Sequence, residues 1–169
     1  VGHSMAGYPI SAAAEKDPSQ ISRLVYLCAY AARDGASLVD MRKEAPRQPL
    51  MEAIERTPDG LGFSVKKVQI KPLFYHDCSD EQVAFAAQNL CIQAIKPQAT
   101  AIKLGANYTS VAKSYIRCAN DQTIPPEYQT TMVQDWPKKD VHHMNTSHSP
   151  FFADPLGLAA LLDDISKDT

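Results

Sequence analysis

Two kinds of hydrophobic pattern alternate along this chain. Ile21 to Tyr30 reads ISRLVYLCAY, a nearly continuous apolar run of strand length. That is the pattern of a strand covered on both faces in a parallel sheet. Val111 to Cys118 (VAKSYIRC) and Lys139 to Met144 (KDVHHM) predict two further strands. Helical signals fall between and after them. Ala6 to Glu15 is rich in alanine, with Pro9 early enough for a first turn and Asp17-Pro18-Ser19 as a stop. Ser79-Asp80-Glu81-Gln82 is a capping box ahead of Val83, Ala86, Ala87, Leu90, Cys91 and Ile95, and Pro97 ends that helix. Pro125-Pro126-Glu127 starts a helix to about Gln134, and Asp154-Pro155 opens an amphipathic one through Ile165.

From Arg33 to about Ala99 the pattern breaks up. Pro46, Pro49, Pro58, Gly60 and Gly62 interrupt short pieces. Met41 to Arg56 predicts helix in part, and Gly62 to Ile70 alternates well enough for a small strand or hairpin arm. The expected organisation is a core at residues 1–33 and 100–169, split by an inserted segment at 34–99. Apolar strands alternating with helices in the core predict an open α/β sheet.

Composition narrows the classes. With 169 residues, 44% of them hydrophobic, the chain can bury a sizeable core without a metal or disulfide staple. A formal charge of -2 and no basic stripe argue against a nucleic-acid partner. No run approaches the ~20 apolar residues of a membrane span. Cys28, Cys78, Cys91 and Cys118 form no CxxC pair and no tight spacing with histidines. Cys28 and Cys118 read as small buried hydrophobes, and neither a metal nor an organic cofactor is expected.

The candidate chemistry begins at Gly2-His3-Ser4-Met5-Ala6. Small residues two before and two after a serine, followed by helix-forming sequence, suit a nucleophile on a tight strand-to-helix turn. Bulky flanks would clash there, and the turn aims the following amides at a developing oxyanion. Such a serine needs a base, and the base needs an orienting acid. Asp121 follows the strand VAKSYIRC, and His148 follows KDVHHM. All three lie at strand carboxyl ends, where open α/β sheets carry their sites. Asp135 and Asp140 compete with Asp121 but follow no strand. His142 and His143 read as structural, His3 as packing, and His76 as a surface hydrogen-bonding group beside Asp77.

These segments resemble the α/β-hydrolase superfamily, in the branch of hydroxynitrile lyases, plant salicylate methyl esterases and related bacterial esterases. GHSMAG resembles that branch's nucleophile elbow, YIRCANDQTIPPEYQ its acid loop, and TSHSPFFADPLGLAALL its histidine loop and last helix. The resemblance implies the C-terminal part of an α/β-hydrolase fold, with a mostly parallel sheet, flanking helices and a mainly helical cap at 34–99. It implies Ser4 as nucleophile, His148 as general base and acid, Asp121 as the group holding the imidazole, and the Met5 amide as an oxyanion donor. Tyr30, just past a strand end, and Phe63, Phe74 and Tyr75 in the cap are the candidate substrate contacts. In the lyases a lysine follows the catalytic histidine; here Ser149 stands there, which favours hydrolysis of a small or medium ester through an acyl-enzyme. A ligand-binding receptor on the same scaffold, or a lactonase using the same triad, is the alternative.

Only Val1, Gly2 and His3 precede Ser4, against a strand of about five or six residues. The family pattern also places much of its chain before the elbow. The expectation is therefore that the N-terminal hydrolase segment is supplied by sequence outside these residues or by another chain. No leader pattern is visible, and the compartment stays open, with a soluble cytoplasmic protein the working expectation.

Overall fold

The computed structural model describes residues 1–167. From the start, β1 (Gly2–His3) passes through a 3-10 turn at Ser4–Ala6 into α1 (Gly7–Lys16), and β2 (Arg23–Leu27) follows. The inserted segment holds α2 (Leu38–Glu44), α3 (Pro49–Ala53), β3 (Ile54–Arg56), β4 (Gly62–Val65), α4 (Lys67–Phe74), α5 (Asp80–Asn89), β5 (Gln93–Ala94) and α6 (Ile95–Gln98). The chain returns through α7 (Ala106–Ser110), β6 (Ala112–Cys118), α8 (Pro126–Met132), β7 (Val141–Met144), α9 (Pro150–Ala153) and α10 (Pro155–Lys167).

The main sheet has the order β1-β2-β6-β7 and is parallel throughout. Successive side chains of a strand serve opposite faces, and both faces here are covered. Leu24, Tyr26 and Tyr115 pack with Ala14 of α1 and with Val133. Val25, Leu27, Ile116 and Cys118 pack with Leu158 and Ile165 of α10. This is why Leu24 to Leu27 of β2 are apolar at consecutive positions rather than at alternate ones. A second, antiparallel sheet of order β3-β4-β5 lies in the inserted segment.

Several boundaries differ from the sequence reading, each for a local reason. The strand expected over Ile21–Tyr30 stops at Leu27, because Cys28 turns into the left-handed region at φ 34°. Its amide still reaches Ile116 O at 2.8 Å, and Tyr30 N then bonds Ser4 O at 3.1 Å. The alternating run Gly62–Ile70 divides into β4 and then α4, and α4 continues through Pro72. The capping box at Ser79 forms with both reciprocal bonds, but α5 ends at Asn89 rather than near Pro97. Lys138–Asp140 form a 3-10 turn, so β7 starts at Val141.

Candidate active site

The serine turn is built on two glycines. A Cβ on Gly2 would meet Ala6 O at 2.7 Å and Ile10 Cδ1 at 2.8 Å. On Gly7 it would overlap the Tyr30 carbonyl oxygen. Close approach therefore holds at Gly2 and again at Gly7, which follows the Ala6 singled out in the sequence. Ser4 itself is held at φ 57°, a region that costs a non-glycine residue roughly 1–2 kcal/mol. Met5 follows it in the 3-10 turn.

Asp121 and His148, 27 positions apart in sequence, meet in the interior. His148 Nδ1 bonds Asp121 Oδ2 at 2.7 Å, with the side chains 1% and 0% exposed. The carboxylate is pinned from other sides as well. Its Oδ1 accepts the amides of Thr123 at 2.7 Å and Ile124 at 2.9 Å, and its Oδ2 also accepts from Gln129 Nε2 at 2.9 Å. The carboxylate thus accepts four donors. With Asp121 as the acceptor, Nδ1 carries the ring proton of the neutral imidazole and Nε2 is left as the basic nitrogen. That Nε2 is buried and, among the described residues, has no hydrogen-bond partner, Ser4 Oγ included.

His3 is more than packing. Its Nε2 donates to the His148 carbonyl at 2.7 Å, and the two rings lie 4.6 Å apart. Burial, reinforced by the neighbouring His148 and opposed by the hydrogen bond to the His148 carbonyl, lowers the His3 pKa to about 3. It is therefore a neutral donor across the physiological range. His3, Cys28 and His148 bring possible ligand atoms within 4.8 Å of one another. Within that cluster Cys28 Sγ also donates to the His148 carbonyl at 3.5 Å, and Nδ1 of His148 is held by Asp121.

Both loops are fastened by residues 73–77 of the inserted segment. Asp77 Oδ2 accepts the Ser147 amide at 2.6 Å, and Ser147 Oγ donates to Phe74 O at 3.1 Å. Thr123 Oγ1 donates to Leu73 O at 2.9 Å, and His76 Nε2 donates to Asn120 O at 2.9 Å. Partial burial would raise the Asp77 carboxyl, but the Ser147 hydrogen bonds outweigh it and hold it below the ordinary carboxylate value. Asp140, weighed against Asp121 in the sequence, pairs instead with Arg23 at 3.0 Å.

A cavity of about 930 Å³ opens over these groups. Ser4, Met5 and His148 line it, and so do Tyr30, Phe63, Phe74 and Tyr75, all four residues nominated as substrate contacts. Asp121 lies behind His148 and not on the wall. Three groups escaped the sequence reading: Gln129, Asp77 and the hydrogen-bonding role of His3. A polar residue facing inward from α8, eight positions after Asp121, was the available signal for Gln129.

A parallel sheet with helices on both faces, and a serine turn at one strand end, defines an α/β-hydrolase core. The sequence profile of the Alpha/beta hydrolase family matches residues 1–161, and the chain belongs to that family. It is 31% identical over 179 residues to putative methylesterase 11, chloroplastic, of Arabidopsis thaliana, covering 99% of this chain and 45% of the relative. Methylesterase 17 of the same plant is 27% identical over 175 residues, covering 96% and 63%. The crystal structure of polyneuridine aldehyde esterase superposes with a TM-score of 0.82 at 23% identity, over 98% of this chain and 70% of that one, a likeness of fold. The chain thus spans about half the length of the curated relatives it matches. Among the described residues no helix is long and apolar enough to cross a membrane.

Proposed function

We propose that this chain carries the nucleophile, base and acid of a serine carboxylic-ester hydrolase. Ser4 Oγ attacks the ester carbonyl while His148 Nε2 takes its proton. Asp121 stabilises the imidazolium through Nδ1, and the Met5 amide donates to the tetrahedral oxyanion. Collapse expels the alcohol, protonated by His148, and leaves an acyl-enzyme. A water that surrenders its proton to His148 then releases the acid and frees Ser4. The observation supporting this reading is a buried His148 engaged at Nδ1 and open at Nε2, on the wall of a cavity shared with a conformationally strained serine. A hydrogen bond between nucleophile and base often tightens only once substrate is bound. Ser149 stands where the lyases carry a lysine after the catalytic histidine, which favours ester cleavage over release of cyanide.

The cavity suits a small or medium ester, with Tyr30, Phe63, Phe74 and Tyr75 in contact with it. Residues 34–99 act as the cap and residues 1–33 and 100–169 as the core, of which 168 and 169 lie outside the described residues. Further strands beside β1 come from polypeptide outside residues 1–169 or from another chain. Support for this comes from β1 pairing only with β2 among the described residues, and from the partial coverage of the relatives. A soluble cytoplasmic setting is retained, with the organelle named for the Arabidopsis relatives as its rival.

The test is turnover of p-nitrophenyl acetate and labelling by a fluorophosphonate probe in the full polypeptide. Loss of both in Ser4→Ala is expected; turnover that persists in that variant overturns the assignment. Tight binding of an ester-like ligand without any turnover would favour the receptor reading, and preference for cyclic esters the lactonase.

A further inference from the structure

We propose that Gln129 is a positioning residue that sets the charge and orientation of Asp121, and through it the basicity of His148. The inference rests on the hydrolase reading above. Gln129 is fully buried on α8, and the three hydrogen bonds of its side-chain amide all go to the acid loop and its root. Nε2 donates to Asp121 Oδ2 at 2.9 Å and to Ile124 O at 2.8 Å, while Oε1 accepts the Cys118 amide at 3.0 Å. One side chain therefore ties the end of β6, the far side of the acid loop and the carboxylate itself.

The oxygen it chooses matters. Asp121 Oδ2 is also the acceptor of His148 Nδ1, at 2.7 Å. Two donors share one oxygen, so the glutamine draws off part of the negative charge that would otherwise act on the imidazole. It also blocks rotation of the carboxylate, whose Oδ1 is already fixed by two backbone amides. A primary amide supplies two donors and an acceptor on a rigid plane, which a carboxylate or a thioether of similar length does not. Without its donor, Oδ2 becomes the stronger acceptor and the imidazolium is favoured.

Gln129→Met and Gln129→Glu test this in the full polypeptide. Gln129→Met keeps the length and removes both donors. It is expected to move the acid limb of the kcat/KM profile to higher pH by about one unit. It should also lower kcat about tenfold more than it changes KM, and shift the NMR resonance of the His148 Nδ1 proton. Gln129→Glu, when protonated, donates to Oδ2 again, so its activity is expected near wild type in acid and lost as the new carboxyl ionises against Asp121. A Gln129→Met protein that melts earlier but keeps the wild-type limb and resonance overturns the proposal, as does a Gln129→Glu profile superposable on wild type. The resonance needs no turnover. An inactive wild type with a Gln129-dependent Nδ1 proton would count against the hydrolase reading alone.

Discussion

Asp77, in the inserted segment, accepts the backbone amide of Ser147 at 2.6 Å, one residue before His148. The contact joins parts of the chain 70 positions apart, and it is charge-assisted, which makes it stronger than a neutral hydrogen bond. Replacing Asp77 by alanine leaves the Ser147 amide without its partner at the root of the histidine loop. Asp77→Ala is expected to destabilise the protein by about 1–3 kcal/mol and to lower kcat while KM changes little. Asp77→Asn, which keeps an acceptor, should recover most of the activity. Urea melts and steady-state kinetics read both effects, and a kcat unchanged in Asp77→Ala would show that the loop needs no such tie.

The same carboxyl gives stability a pH dependence. Its folded pKa lies below the unfolded value, so the unfolded state binds the proton more readily. The contribution is complete above the unfolded value, near 4, and is lost as pH falls through the lower folded one. Asp77→Asn should flatten the acid side of the stability curve measured by urea denaturation at stepped pH.

His3 acts in a higher window. Its pKa is about 3 when folded, against about 6.5 for an unperturbed histidine. Protonation therefore favours the unfolded chain, and stability is expected to decline as pH drops from about 6.5 toward the folded value. His3→Gln retains a donor but cannot ionise, so the difference in stability between neutral and mildly acidic buffer should shrink. An equal difference in the two proteins would mean that His3 is not held neutral.

The serine turn predicts a trade of activity for stability. Ser4 sits at φ 57°, which glycine adopts freely. Ser4→Gly and Ser4→Ala should both abolish ester hydrolysis, yet the glycine variant should be the more stable by about 1 kcal/mol. Equal urea midpoints would place the strain elsewhere.

Gly7 is fixed by contact rather than by φ. Because a Cβ there collides with the Tyr30 carbonyl, Gly7→Ala is expected to destabilise by at least about 2 kcal/mol. Gly35→Ala, where the added carbon meets nothing but φ is 74°, should cost about 1 kcal/mol. Reversal of that order in thermal melts would contradict the close contact of Gly7 with the Tyr30 carbonyl.

The parts visible in the sequence are those written in short-range pattern. An apolar run marked β2, VAKSYIRC read as a strand at β6, the capping box marked α5, and the placement of Asp121 and His148 after strands marked two loops that the fold brings together. The rest depends on partners distant in sequence. Gln129 reaches back to Cys118 and Asp121 from a helix whose period says nothing of them. Asp77 looks like any surface acid until its Ser147 contact is seen. β3 and β5 have three and two residues, too few for alternation to register. Cys28 ends β2 early through a backbone turn inside an unbroken apolar run, where hydropathy carries no signal.

Residues 73–77 hold the acid loop and the histidine loop at once, through Leu73, Phe74, His76 and Asp77. Grafting a relative's insertion into this protein would therefore exchange more than the roof of the chamber. On the hydrolase reading the transplant would retune the proposed Ser4–His148–Asp121 relay beneath it, so selectivity and turnover would be inherited together unless those five positions were carried across unchanged.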